Sequence, residues 1–338
     1  MEIIRHRAFA RAGLIGNPSD GYHGKTISIT LRDFFATVTL YEWHEIEIVM
    51  TENDNSRFRS VDELVQDVRL HGYYGGVRLV KATMKRFVEY CRQAGLKLHD
   101  RTFSIRYAST IPRQVGMAGS SAIIVATLRC LMEFYDVEIP LVLQPSLALS
   151  VEMGELGISA GLQDRVIQVY EGMVYMDFSR EEMREENGLK YGKYERISPK
   201  RMPPIYLAYK DDAGEPTEVV HNNLRHLWET GDERVHAAMK YFAQLTDEAK
   251  TALLAENWAE LSRLMDENFD LRRSICQIAP KQQEMIDTAR SVGVSAKFAG
   301  SGGAIIGICP DEETYRKLSV ELGKIQCRVL RPKILGGG

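Results

Sequence analysis

The sequence predicts a mixed α+β protein built in two halves. Strand-like segments crowd the first half, long helical periodicities fill the second, and a charged, proline-bearing stretch from Arg180 to Lys200 lies between them. The chain has 338 residues, which at roughly 100–200 residues per domain suggests two domains. The boundary is expected near that stretch, giving residues 1–200 and 201–335.

Ile27–Leu31, Ala36–Leu40 and Ile46–Met50 are β-branched and close to alternating, and together predict an antiparallel N-terminal meander. Val77, Val80, Met84, Phe87 and Cys91 then recur at steps of three and four. They mark one face of a helix, with Gly95 as its stop. Phe103–Tyr107 alternates as a strand and leads through a glycine-rich turn into an apolar helix over Ala122–Met132. Leu147–Gly157 predicts an amphipathic helix, and a further one ends at Tyr170. Past the boundary, Ile205–Tyr209 predicts a strand, followed by helices over Asn222–Trp228, Val235–Ala255, Trp258–Ile275 and Gln282–Val292. Strand Ala304–Cys309, helix Glu312–Leu322 and a last strand through Val329 close the chain, and the Gly336–Gly338 tail is expected to be disordered.

Forty-three basic against 46 acidic residues leave a net charge of −3, which speaks against a sequence-independent nucleic-acid binder. With 44% hydrophobic and 26% charged residues, the composition is that of an ordinary soluble globular protein. Cys91, Cys130, Cys276, Cys309 and Cys327 are scattered without a CxxC pair, so no zinc ribbon is expected and a reducing, cytoplasmic setting fits. No apolar run approaches the roughly 20 residues of a membrane span, and the N-terminus carries no signal-peptide core.

Chemistry concentrates in a few glycine-rich segments. Pro112-Arg113-Gln114-Val115-Gly116-Met117-Ala118-Gly119-Ser120-Ser121-Ala122 joins a strand to an apolar helix. A loop entering a helix gathers free amides and the positive helix end around one point, a ready anion site. Gly116 and Gly119 would supply positive φ and close backbone approach, and Ser120 and Ser121 could bind phosphate oxygens or Mg²⁺. A serine N-cap on a buried helix would leave the same pattern. Neither a Walker A loop nor GxGxxG is present. The segments RAGLIGNPSDGYHG (11–24), GISAGLQD (157–164) and KFAGSGGAIIGICP (297–310) add carboxylates and glycines that could face the same point.

Taken together, these segments resemble the GHMP kinases, a family named for galactokinase, homoserine kinase, mevalonate kinase and phosphomevalonate kinase. The resemblance covers essentially the whole chain. Pro112–Ala122 is similar to the family's ATP phosphate loop, with Met117 where Leu is usual. Arg11–Asp20 is similar to the first motif of its sugar kinases, and Lys297–Gly303 to the third motif. Asn17-Pro18 stands where galactokinase has Glu-His, which argues against galactose. Asn17–Asp20, Pro112–Gln114 and Ala160–Arg165 are most similar to a plant-type branch acting on glucuronate.

The resemblance implies an N-terminal domain of ribosomal-S5-like mixed topology and a ferredoxin-like C-terminal domain. It also implies ATP and Mg²⁺ as cofactors, a small uronate sugar as the partner, and phosphoryl transfer to the anomeric hydroxyl. Asp164 would be the catalytic carboxylate and Arg11 a neighbour of the transferred group. Pro112, Gly116, Met117, Ala118, Gly119, Ser120, Ser121 and Ala122 would clasp ATP, with Ser121 and Glu152 on the metal and Glu155 as the alternative one turn on. Asp20, Tyr22, His23, Gly300, Ser301, Gly302 and Gly303 would line the sugar. Arg11, Arg113 and Arg165 are the candidates to grip a uronate carboxylate through paired bonds. From residue chemistry alone Asp20 could instead close an Asx turn, Asp164 a helix N-terminus, and Tyr73-Tyr74 a helix entry. A kinase for another sugar (galacturonate, a heptose phosphate or a neutral hexose) and a non-catalytic sensor are the alternatives to the uronate kinase.

Overall fold

One 19-residue strand, β2 (Lys25–Trp43), is the spine of the N-terminal half. Its inner positions are filled by Ile27, Ile29, Leu31, Val38 and Leu40, β-branched or apolar residues that suit a pleated, buried surface. The computed structural model describes residues 2–49, 75–198, 202–210 and 224–334. Tyr73-Tyr74, Asn222, most of the proposed boundary at 199–201 and the glycine tail lie outside them.

β1 (Ile3–Ile15) pairs antiparallel with nearly the whole of β2, with register shifts after Phe9 and Gly13. On the opposite edge, the C-terminal part of β2 pairs with β4 (Thr102–Ser109) and its N-terminal part with β5 (Met173–Asp177). β3 (Glu47–Ile48) adds to β4 in parallel, and β8 (Lys193–Arg196) adds to β5. The predicted meander is therefore corrected. Two of its segments are one strand, bent where Arg32-Asp33-Phe34 interrupt the alternation, and the third is a short parallel edge. β6 (Arg184–Glu186) and β7 (Leu189–Tyr191) form a separate hairpin within the charged stretch.

Among the described residues, four α-helices belong to this half: α1 (Gly76–Gln93), α2 (Gly119–Tyr135), α3 (Gln144–Ser150) and α4 (Gln163–Tyr170). α2 is buried along most of its length, consistent with its near-continuous apolar sequence. Gly95 stops α1 at φ +69°, as predicted.

The second half holds a four-stranded antiparallel sheet ordered β10 (Lys297–Phe298), β11 (Ala304–Ile308), β9 (Ile205–Tyr209), β12 (Arg328–Leu330). Around it lie α5 (Glu233–Leu254), α6 (Trp258–Ile275), α7 (Pro280–Ser291) and α8 (Glu312–Lys324). Asp232, Asn257 and Asp311 cap α5, α6 and α8 with side-chain bonds to their first amides.

A single apolar cluster runs through both halves, joining Ala10, Leu14 and Ile27 to Leu245, Leu264, Leu207 and Ile306. Polar ties reinforce it. Asn268 of α6 accepts from the Gly16 amide at 2.7 Å and donates to the Asn17 carbonyl at 3.2 Å, holding the β1–β2 turn against the second half. Asn268→Ala would leave the buried Gly16 amide without its acceptor and is expected to cost about 1–3 kcal/mol. Urea unfolding measures this, and an unchanged midpoint would show that the turn does not depend on α6.

Candidate active site

The β1–β2 turn, the loop before α2, the start of α4 and the β10–β11 loop lie near one another. Arg11 of β1 is buried and reaches three of these segments at once. Its Nε donates to Asp164 Oδ1 at 2.5 Å, and its Nη1 donates to the carbonyls of Gly116 at 2.5 Å and Ala299 at 3.2 Å. Main-chain bonds run alongside, from the Arg11 amide to the Met117 carbonyl and from the Gly13 amide to the Ala299 carbonyl. The presumed sugar, phosphate and third motifs are thus adjacent in space.

In the loop before α2 the positive-φ residues are Gln114, Gly116 and Ala118, not Gly119, which is the first residue of α2. A non-glycine residue in the left-handed region is strained, and strain of this kind gathers at binding sites. Gly116 and Gly300 have to be glycines. A Cβ on Gly116 would lie 2.9 Å from the Ser301 amide nitrogen, and one on Gly300 would lie 2.1 Å from the Gly116 carbonyl oxygen. Ala118 is the α2 N-cap and makes no side-chain cap, so the serine-cap alternative does not hold. Ser121 Oγ donates to the Ala118 carbonyl at 3.2 Å, and Gln168 Nε2 donates to the same oxygen at 2.8 Å. Met117 and Ala122 are buried beneath the loop, while Pro112, Gly119 and Ser120 are half-buried. Arg113 is exposed on its outer side.

Asp20 sits in a short 3-10 turn, Ser19–Tyr22, and its Oδ2 accepts from the Gln163 amide at 3.2 Å. Gly161 makes room for it, since a Cβ there would fall 2.0 Å from that oxygen. Loss of water around Asp20, reinforced by the Asp164 charge, raises its pKa from 3.8 to about 6. Asp20 of the turn and Asp164 of α4 are thus close enough to feel each other's charge. Tyr22 is buried against Trp228 with ring centroids 5.3 Å apart, and burial pushes its hydroxyl up to about 12. This ring is part of the packing of α5 on the turn. His23 is exposed in the left-handed region at φ +60°.

Glu152 lies in a π-helical turn, Val151–Glu155, directly after α3. It is buried and paired with Arg165, whose Nε and Nη2 both donate to Glu152 Oε2. Arg165 Nη1 donates to the Gly161 carbonyl at 2.8 Å and lies 3.5 Å from Asp164 Oδ2. Burial raises the Glu152 carboxyl, and the Arg165 charge and hydrogen bonds oppose that rise. Arg165 thus spends its charge on internal carboxylates. Glu155 is paired with Lys85 at 2.7 Å instead.

Two buried cations escaped the sequence reading of the site. Arg272 of α6 donates to the Gly300 carbonyl at 2.7 Å and the Ser301 carbonyl at 3.1 Å. Lys297, the first residue of the third motif, donates to the Gly13 carbonyl, Asn17 Oδ1 and the Phe298 carbonyl at 2.7, 2.7 and 2.8 Å. A signal was present for Arg272: with Asn268 it interrupts the apolar stripe Leu261, Leu264, Met265, Phe269 at helical spacing.

A half-buried carboxylate beside a buried guanidinium, a glycine loop at a helix start and a second carboxylate are the parts a hydroxyl kinase needs. Comparison with known proteins agrees. The model for the GHMP kinases N terminal domain matches residues 78–172, and that for the GHMP kinases C terminal matches 249–325. The chain is 43% identical over 334 residues to probable glucuronokinase 2 of Arabidopsis thaliana, covering 96% of this chain and 88% of that protein. It is 42% identical over 332 residues to glucuronokinase 1 of the same plant, covering 96% and 89%. The crystal structure of Lactococcus lactis galactokinase complexed with galactose superposes with a TM-score of 0.77 at 16% identity, covering 98% of this chain and 94% of that one. The chain belongs to the GHMP kinases, whose fold it shares throughout.

Folding raises the Asp20 pKa, so the folded protein holds that proton more tightly than the unfolded chain does. The stability this provides is fully present below about pH 4 and is lost as pH rises through about 6. In Asp20→Asn, the decline in urea midpoint between pH 4 and 7.5 is expected to be shallower than in the wild type. Parallel declines would show that Asp20 does not titrate in that window.

Proposed function

We propose that this chain transfers the γ-phosphoryl group of ATP to the anomeric hydroxyl of D-glucuronate, giving glucuronate 1-phosphate and ADP. The observation that carries the reading is the Arg11–Asp164 pair seated against Gly116, in a chain similar along nearly its whole length to two glucuronokinases.

In this reading Asp164 accepts the proton of the attacking hydroxyl. An ionised aspartate is a weak base, but the ring oxygen makes an anomeric hydroxyl unusually acidic, and a loose transition state asks little of the base. Arg11 fixes the carboxylate and places positive charge where the phosphoryl group passes. Asp20 accepts from sugar hydroxyls, and the amides at the start of α2 hold the phosphates. Residues 112–122 form the ATP loop, and residues 300–303 close the sugar side.

Magnesium, when bound, neutralises phosphate charge and orients the γ-group. Ser121 Oγ and Glu152 suit it as hard oxygen donors, because Mg²⁺ takes few protein ligands beside substrate phosphates. Both bonds from Arg165 go to Oε2 of Glu152, which leaves Oε1 outside that pair.

The test is ADP release with Mg²⁺ATP and glucuronate, galacturonate, glucose or a heptose phosphate. Glucuronate is expected to have the highest kcat/KM, and Asp164→Asn to lower turnover by at least about a hundredfold. Gln variants of Arg11, Arg113 and Arg165 show which cation holds the carboxylate. Losing it leaves a charge unpaired, so that variant should lose its preference for glucuronate over glucose. A wild type that prefers glucose would overturn the uronate reading.

A further inference from the structure

Four successive carbonyls, from the last residue of β10 into the β10–β11 loop, are each bonded by a buried cation. Lys297 takes that of Phe298, Arg11 that of Ala299, and Arg272 those of Gly300 and Ser301. Exposure of these cations is 1% for Lys297, 6% for Arg11 and 4% for Arg272. Only Arg11 has a carboxylate within ion-pairing distance among the described residues. Burial, then the neighbouring cations, push Lys297 well below the usual lysine range, and burial likewise lowers Arg272. Even so, the three acceptors around Lys297 match the three hydrogens of an ammonium group. A buried charge without a counter-ion is costly, and backbone dipoles are what offset it here.

Such an arrangement has a geometric consequence. Across a trans peptide the N–H of one residue points opposite to the C=O of the residue before it. Drawing the carbonyls of residues 299–301 onto cations therefore turns the amides of Gly300, Ser301 and Gly302 away from those cations. A Cβ on Gly116 would lie 2.9 Å from the Ser301 amide nitrogen and 2.8 Å from the Gly302 carbonyl oxygen, which puts this part of the loop against the loop before α2. Backbone amides gathered in this way form an anion-binding concavity.

We propose that Arg272 and Lys297 are positioning residues for phosphoryl transfer, which hold the loop carbonyls inward so that its amides face the transferred group. Neither needs to touch substrate. The proposal rests on the kinase reading above and extends it to two residues to which that reading gives no role.

Steady-state kinetics of Lys297→Met, Arg272→Met and Arg272→Lys test it, with rates scaled to folded protein from circular dichroism. Both Met variants are expected to lose at least about tenfold in kcat while the KM values for ATP and sugar stay within about threefold. Arg272→Lys should recover part of the loss, because it keeps the charge and one carbonyl bond. A second readout needs no turnover. Affinity for MgADP with aluminium fluoride, a mimic of the moving phosphoryl group, should fall at least about tenfold relative to MgADP alone. If Lys297→Met does not fold, the two Arg272 variants decide. Wild-type kcat in both of them, with only a lowered melting temperature, would overturn the proposal, as would a rise confined to KM. A wild type active on another sugar overturns the glucuronate reading alone, and the same variants are then compared on that sugar.

Discussion

The site depends on one buried guanidinium. Arg11 joins Asp164, the Gly116 carbonyl and the Ala299 carbonyl, three points more than a hundred residues from it in the chain. Its position follows from β1 running the length of β2, which carries it against the loop before α2. Its burial strengthens every bond it makes, since a charge removed from water interacts strongly with what remains around it. Gly116 and Gly300 are glycines for the same reason, because any side chain there would wedge apart the segments that Arg11 draws together.

Charge around the site is balanced unevenly. On one side, Arg165 and Glu152 form a closed pair behind Asp164. On the other, Arg272 and Lys297 face amide and backbone carbonyl oxygens, with the Cys276 thiol beside Arg272. Asp20 and Asp164, close enough for one to raise the other's pKa, lie at the mouth of the β1–β2 turn. Two of the four buried cations are thus answered by carboxylates and two by dipoles, and oriented dipoles need little rearrangement when charge shifts.

Much of the fold was legible in the sequence because apolar spacing is a local signal. The helices at Val77, Ala122, Val235, Trp258, Gln282 and Glu312 all form close to where their three-and-four spacing ends. β2 was read as two strands because Arg32-Asp33-Phe34 break its alternation at the bend. β1 was not read over its full length, because its first half mixes arginines with apolar residues and its second half is buried on both faces. Within the site, glycine and serine loops were visible as such. Lys297 was not, because two of its three partners are backbone carbonyls, and Arg272 left only the break in the apolar stripe of α6 as a signal. Gly119 was assigned a positive φ that Ala118 adopts instead, a choice set by where α2 begins.

The most direct measurement is a double-mutant cycle on turnover between Arg11→Met and Asp164→Asn. If the two side chains work as one unit, removing the second after the first changes little, and the double variant is about as slow as the slower single one. Losses that multiply would mean that Arg11 and Asp164 act independently, and would contradict the account of the site as a set of segments organised by their contact.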